Sequence, residues 1–288
     1  MISAITNKNY QPNFRANPNL SKLKFAQKDF FIKIPGYGRD ANWAKEIVKT
    51  AEEASDYIKH GWSFENVLKI ITLGVIKANR YPLDIDKRTH TGILRTAREG
   101  WRHGSDWDGS CLVTNYDKKN GNKRYSSYES RLDEVAQKPL KKVYQNVSMT
   151  QPLIIKIDNQ PTEKQLFHGA PDNINETFKL LNKMYKFLTN KYLNKNLYEK
   201  DLNIINNIIS QMRWILAHTT PWERGSDAIS NVFMKSLYKA LNIKTFAPAK
   251  GISFDLEAYC TNLVDYRKNF SGYFEKPPEI VHQKVIQK

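Results

Sequence analysis

Cysteine is scarce: the 288 residues hold only two, Cys111 and Cys260, far apart in the chain. Neither has a companion at metal-ligand or redox spacing, which excludes a disulfide framework, a zinc site and a CxxC centre and fits a reducing compartment. Long apolar runs are missing too. Nothing approaches the roughly eighteen consecutive apolar residues of a membrane span, and the opening "MISAITNKNYQPNFRANPNL" lacks the apolar core of a secretory leader. A soluble chain without a cleaved leader is expected. Also absent are a GxGxxG loop, a Walker loop, a βαβ alternation and a Gly-x-Ser-x-Gly elbow, so doubly wound nucleotide folds and serine hydrolases have no support.

Acidic residues are few, 29 against 45 lysines and arginines, for a formal charge of +16. That imbalance favours anionic partners: nucleic acid, an acidic membrane surface, nucleotide phosphates or an acidic protein. Lysine-rich stretches such as "NKMYKFLTNKYLNKN" also read as solvated helix surface. No helix-turn-helix, zinc-finger or RNP-like signature accompanies the charge, which argues against nucleic acid.

What is present is 40% apolar residues, enough for a sizeable core, and a dominant helical period. Residues 1–28 contain no Asp or Glu and read as a disordered tail suited to a delivery signal, residues 29–274 as one folded domain, and 275–288, opening on a proline pair, as a C-terminal tail. A helix is predicted from Ala41 to Ile58. A second follows the N-cap candidate Ser63, with Phe64, Val67, Leu68, Ile71, Val75 and Ala78 on one face. A third starts near Asn175 with Phe178, Leu181, Tyr185 and Leu188 inward. The most apolar segment, Leu202 to Ala217, is expected to be central, its apolar arc including Ile204, Ile205, Ile208 and Ile209. Ile229, Val232, Phe233, Leu237 and Leu241 repeat the period beyond it. Strand signals are weaker: "PLIIKID", and a hairpin or loop pair around Asn120 and Gly121. The fold class is therefore α+β, mainly α-helical, with a small β appendage.

Between the last two helices lies "TTPWERGSDAIS", Thr219 to Ser230. Ser226 could cap the following helix, leaving free amides at its positive end, while Gly225 would let a ligand approach the backbone. Arg224 adds a fork of donors for a phosphate or carboxylate. The alternative is an ordinary helix start whose Arg224 pairs with Glu223.

Long helix, anion-cradling turn and second helix resemble the centre of Fic/Doc (Fido) proteins, whose turn reads roughly HPFxxGNGR. Here "TPWERGSDA" keeps Pro221, the aromatic Trp222 and Gly225, but Thr220 stands at the His position, Ser226 at the Asn position and Ala228 at the Arg position. The closer resemblance is to the AvrB family of type III effectors, Fido-fold proteins with a degenerate turn. It is carried by the Arg-Gly-Ser of the turn and the Asp-Leu-Glu-Ala of "SFDLEAY", within "RWILAHTTPWERGSDAISNVFMKSLYKALNIKTFAPAKGISFDLEAYCTNLVDYRKNFSGYF". It extends more weakly through "GWSFENVLKIITL", "YSSYESRLDEV" and "FHGAPDNINETFKLLNKMY".

The resemblance implies a Fido-fold effector delivered into a host cell, with Arg224 and Asp255 in one cleft and His168 and Tyr128 at the family's cleft His and Tyr. It implies glycosyl transfer, in the family's case a rhamnosyl group, from a UDP- or dTDP-linked nucleotide sugar to a hydroxyl of a host protein. Arg224 with the amides of Gly225 and Ser226 would hold the diphosphate, and Tyr128 would line the same site. Asp255 would orient or deprotonate the acceptor or stabilise charge on the sugar, with His168 either joining the chemistry or serving structurally. Asp227 replaces a small apolar residue of the family's turn and would repel a diphosphate unless it turns away or recruits a cation, so the sequence leaves magnesium dependence undecided. With Met1-Ile2 and no glycine after the initiator, no myristoylation signal is present and no stable membrane anchor is expected; peripheral contact with anionic lipid is the residual membrane expectation. His103, Asp106 and Asp108 in "REGWRHGSDWDGS" offer an Asp-x-Asp pair, read chiefly as a Trp-rich packing or recognition loop. The alternatives to glycosyl transfer are a non-catalytic module holding a host peptide or phosphoprotein in the same cleft, and a nucleotidyl transferase of the AMPylation type.

Overall fold

The computed structural model describes residues 41–79, 91–95, 131–132, 134–138, 150–155, 163–168, 171–249 and 252–281. The 1–28 tail, the hairpin expected around Asn120 and Gly121, Tyr128 and the His103–Asp108 loop lie outside them.

Among the described residues the architecture is mainly helical. Helix α1 (Ala41–Lys59) and α2 (Phe64–Ala78) form an antiparallel pair. The Ser63 hydroxyl accepts from the Asn66 amide at 3.3 Å, so the cap stands where the sequence places it, and all six positions of the predicted stripe are buried. Two short antiparallel strands follow, β1 (Gln151–Ile155) and β2 (Glu163–Phe167), in register from Gln151 opposite Phe167 to Ile155 opposite Glu163. β1 matches the apolar run of the sequence; β2 has no strong strand signal of its own, and is fixed by its partner.

A 3₁₀ turn at Pro171–Asn173 leads into α3 (Ile174–Tyr192), which packs on α2 and on α4 (Glu199–Thr219). Helices α4 and α5 (Ser226–Ala240) are the centre: α5 lies against α1, α2 and α4. The predicted arc on α4 is narrower than its composition suggests. Ile205 and Ile209 are inside, Ile208 is half-buried and Ile204 is exposed, because one face of α4 has no helix laid over it among the described residues. Phe64 sits at the junction of three elements, with its ring 5.5 to 6.1 Å from those of Phe233, Tyr185 and Phe178.

Strand β3 (Ile243–Lys244) pairs with β4 (Glu279–Ile280), and between them run α6 (Phe254–Cys260), α7 (Leu263–Asn269) and a 3₁₀ turn at Phe270–Tyr273. The stretch after 274 is thus not loose from its first residue. Glu275 donates its amide to the Ala247 carbonyl at 2.8 Å, and Val281 its own to Asn242 at 2.9 Å. Phe254, Tyr266, Phe270 and Phe274 form an aromatic cluster that seats α6 and α7 beside α4. No helix among the described residues is long and apolar enough to cross a membrane.

Candidate functional site

The joint between α4 and α5 is built against local preference. Thr220, the C-cap of α4, sits at φ 41° and ψ 64°, a left-handed conformation that costs a β-branched residue on the order of 1–3 kcal/mol. Surrounding bonds hold it there. Its hydroxyl donates to the Ala217 carbonyl at 2.7 Å, and the Arg95 guanidinium donates to the Thr219 and Thr220 carbonyls, both at 2.6 Å. Residues 91–95 lie along the turn through two isolated bridges, Thr91 with Arg224 and Leu94 with Trp222. Gly92 donates its amide to the Arg224 carbonyl, Glu223 to Ile93 and Arg95 to Pro221, at 2.9 to 3.1 Å. Trp222 is buried, its ring 5.9 Å from that of Phe178.

Three readings of the turn are corrected by this geometry. The N-cap of α5 is Gly225, not Ser226; the Ser226 hydroxyl reaches back to Trp222, accepting from its amide at 3.1 Å and donating to its carbonyl at 2.9 Å. Gly225 has φ +87°, and a Cβ there would stand 3.2 Å from the Thr91 methyl and 3.6 Å from Val75. Its lack of a side chain therefore serves the close approach of protein, not of a ligand. Arg224 does not pair with Glu223: its side chain is exposed and has no hydrogen bond or ion pair among the described residues.

Asp227, in the first turn of α5, turns back into the protein. Arg213 on α4 is 1% exposed, and its Nη2 donates to Asp227 Oδ1 while Nε donates to Asn231 Oδ1 at 3.0 Å. Asn231 in turn donates to Asp227 Oδ2 at 2.9 Å. A buried guanidinium needs a counter-charge, so Asp227 neutralises Arg213 instead of facing outward. Asp255 joins the group electrostatically. Burial raises the Asp227 carboxyl above the ordinary carboxylate range, and the neighbouring Asp255 pushes it further in the same direction, against the pull of Arg213. Two carboxylates here share one arginine. Asp255 itself is held by one oxygen: Oδ1 accepts from the Ser253 hydroxyl and from the Leu256 amide at 2.8 Å. Its Oδ2 has no hydrogen bond among the described residues.

His168 and His218 form the other half of the site. His218 Nδ1 accepts from the Thr150 amide at 3.2 Å, which leaves Nε2–H to donate to the Ala258 carbonyl at 3.0 Å. Both ring nitrogens are used, and burial lowers its pKa to about 3; this histidine is structural. His168 Nδ1 lies 2.9 Å from the Thr150 hydroxyl and 3.1 Å from that of Thr220. Each hydroxyl already gives its proton to a carbonyl, Thr150 to His218 and Thr220 to Ala217. The network therefore assigns the His168 proton to Nδ1 and leaves Nε2 as a bare acceptor, without a partner among the described residues. Burial, with the nearby Arg95 charge, lowers the His168 pKa to about 3 as well. Tyr259 joins the two histidines, its ring 6.1 Å from His168 and 5.6 Å from His218.

The structure thus brings Asp255, Asp227 and Arg213 together, and seats His168 on the Thr220 hydroxyl of the turn that carries Arg224, Gly225 and Ser226. Tyr128 lies outside the described residues. Sequence reasoning missed Arg213, the single charge in the apolar stretch "QMRWILAH", and such an interruption is itself the signal for a buried partner. No group of three or more His, Cys, Asp or Glu side chains among the described residues is arranged to hold a metal ion.

Comparison with known proteins gives one family. No curated protein matches the chain. Residues 136–277, which contain the turn, Asp255 and both site histidines, match the AvrB_AvrC model, described as avirulence protein. Over these residues, about half of its length, this protein is similar to the AvrB_AvrC family of avirulence proteins.

Proposed function

We propose that the protein is an effector with a Fido-type helical core that transfers a sugar, rhamnose in the first instance, from a UDP- or dTDP-linked donor to a hydroxyl of a host protein. The observation that carries this reading is Arg224. It is exposed and unpaired among the described residues, on a turn that several bonds hold rigid, at the positive end of α5. The acid that the sequence sets beside it, Asp227, is turned away and neutralised by Arg213, which removes the repulsion a diphosphate would meet.

In the proposed reaction the acceptor oxygen forms a bond to the anomeric carbon of the sugar. The bond from that carbon to the diphosphate oxygen breaks, and its electron pair leaves with the nucleoside diphosphate. Arg224 and the first amides of α5 stabilise the departing negative charge. The acceptor proton passes to Asp255 Oδ2, the carboxylate oxygen not already held by Ser253 and Leu256. His168 Nε2, neutral throughout the working pH range, accepts a hydrogen bond from a sugar or acceptor hydroxyl and positions it.

The test is a thermal-shift series with UDP, dTDP and their sugar conjugates, with and without Mg²⁺, on the native protein and on Arg224→Ala. A ligand at about 100 times its Kd adds roughly 2.7 kcal/mol, a rise of about 5–11 °C for a domain of this size. That rise is expected for a pyrimidine diphosphate and its sugar, and is expected to vanish in Arg224→Ala. No shift with any nucleotide would overturn the reading and favour a peptide-binding module.

A further inference from the structure

The acid-poor charge of this chain is concentrated on one described face. From Thr177 to Tyr198 there is no Asp or Glu, and Lys179, Lys183, Lys186, Lys191 and Lys195 all fall in that stretch. Helical periodicity turns Lys183, Lys186 and Phe187 of α3 away from Leu181, Tyr185 and Leu188, which are in the core, and puts Lys191 on the flank beside Phe187. All four are exposed. Lys179 is compensated by Glu176 at 2.6 Å; the lysines that follow it on α3 have no ion pair among the described residues.

Two aromatic rings stand out in water on the same end of the fold. Phe187 is 45% exposed and Tyr198 64%. Each carries an ammonium group: Lys191 Nζ lies 5.3 Å from the Phe187 centroid and Lys200 Nζ 5.8 Å from that of Tyr198. Exposed rings flanked by lysines on a convex helix offer no groove for a peptide. The cations are all lysine, point charges without the flat fork that reads individual phosphates or bases. A diffuse anionic plane that accepts a ring at its boundary matches both features.

We propose that the outer face of α3 and the α3–α4 connection form a docking surface for an anionic lipid bilayer, with Lys183, Lys186, Lys191 and Lys195 facing the headgroups and Phe187 entering the interface. This contact is independent of the nucleotide site, and it orients the protein peripherally without a membrane span.

The experiment is flotation of the full chain with vesicles of phosphatidylcholine alone or with about 30% phosphatidylserine, at about 0.1 M and about 0.5 M salt. Binding is expected only to the anionic vesicles and only at low salt. One lysine near such a surface is worth about a fivefold change in partitioning, so Lys183→Gln/Lys186→Gln/Lys191→Gln should weaken it about a hundredfold. Phe187→Ala should lower binding while leaving its salt dependence unchanged. A control triple, Lys244→Gln/Lys268→Gln/Lys276→Gln, has the same net charge and should retain most of the binding. Equal losses in the two triples would overturn the proposal, as would binding to neutral vesicles. So would a triple variant that loses affinity for single-stranded oligonucleotides but not for vesicles.

Discussion

Asp227→Asn tests whether Asp227 is the counter-ion of Arg213, on which the site's electrostatics depend. The Arg213 side chain is fully enclosed and that of Asp227 27% exposed. Removing one partner of a buried pair costs roughly 3–5 kcal/mol, because the remaining charge stays desolvated. Asn231 keeps its bond to Nε and Asp255 remains nearby, which places the expected loss at the low end, about 3 kcal/mol. At about 2–4 °C per kcal/mol for a domain of this size, the melting temperature should fall by about 6–12 °C. Thermal unfolding followed by far-ultraviolet circular dichroism, at a pH above about 7, the value to which burial and Asp255 push the Asp227 carboxyl, reads it directly. Arg213→Met should cost a similar amount, and the double variant far less than the sum, with a coupling of about 2 kcal/mol or more. A loss below about 1 kcal/mol in Asp227→Asn, or two losses that add within about 0.5 kcal/mol, would refute the reasoning.

The same carboxyl predicts a pH dependence: since burial and Asp255 raise its folded-state pKa, the folded protein keeps a proton that the unfolded chain releases. Its contribution is present at low pH and declines as pH rises above the ordinary Asp value of about 4; denaturant midpoints measured across that range should show a flatter decline in Asp227→Asn. The histidines act in the opposite sense. With folded pKa values lowered to about 3, their contribution is present above about pH 6.5 and is lost as pH falls toward 3, and His218→Gln should remove part of that acid sensitivity in the same titration. Gly225→Ala must hold φ +87° and press on the Thr91 methyl at 3.2 Å, so a loss of about 1–2 kcal/mol in urea unfolding is expected. Arg224→Ala, by contrast, should change stability by less than about 0.5 kcal/mol, which separates any loss of nucleotide binding from a loss of fold.

The helices were legible because their apolar period is strong: the Phe64–Ala78 stripe and its Ser63 cap can be read directly from the chain. The turn was legible as a place but not as a geometry. A Gly-Ser pair before a helix suggests a serine cap, and only the pairing of residues 91–95 with the turn explains why the glycine takes the cap position and the serine folds back on Trp222. Asp227 illustrates the same limit. Its conflict with a phosphate was visible in sequence, but its resolution lies in Arg213, fourteen residues away across the turn. The docking of 275–281 was hidden by the proline pair, which ends helices but does not prevent an edge strand.

The 91–95 segment also bears on the order in which the molecule assembles. Arg95 meets the Thr220 carbonyl across 125 positions of chain, a closure whose entropy must be met before the contact forms. Helices α4 and α5 can each form locally, but the left-handed joint between them is held in shape by a segment from the first third of the protein. The turn therefore matures after its flanking helices, and weakening the 91–95 contacts should speed unfolding more than it slows folding.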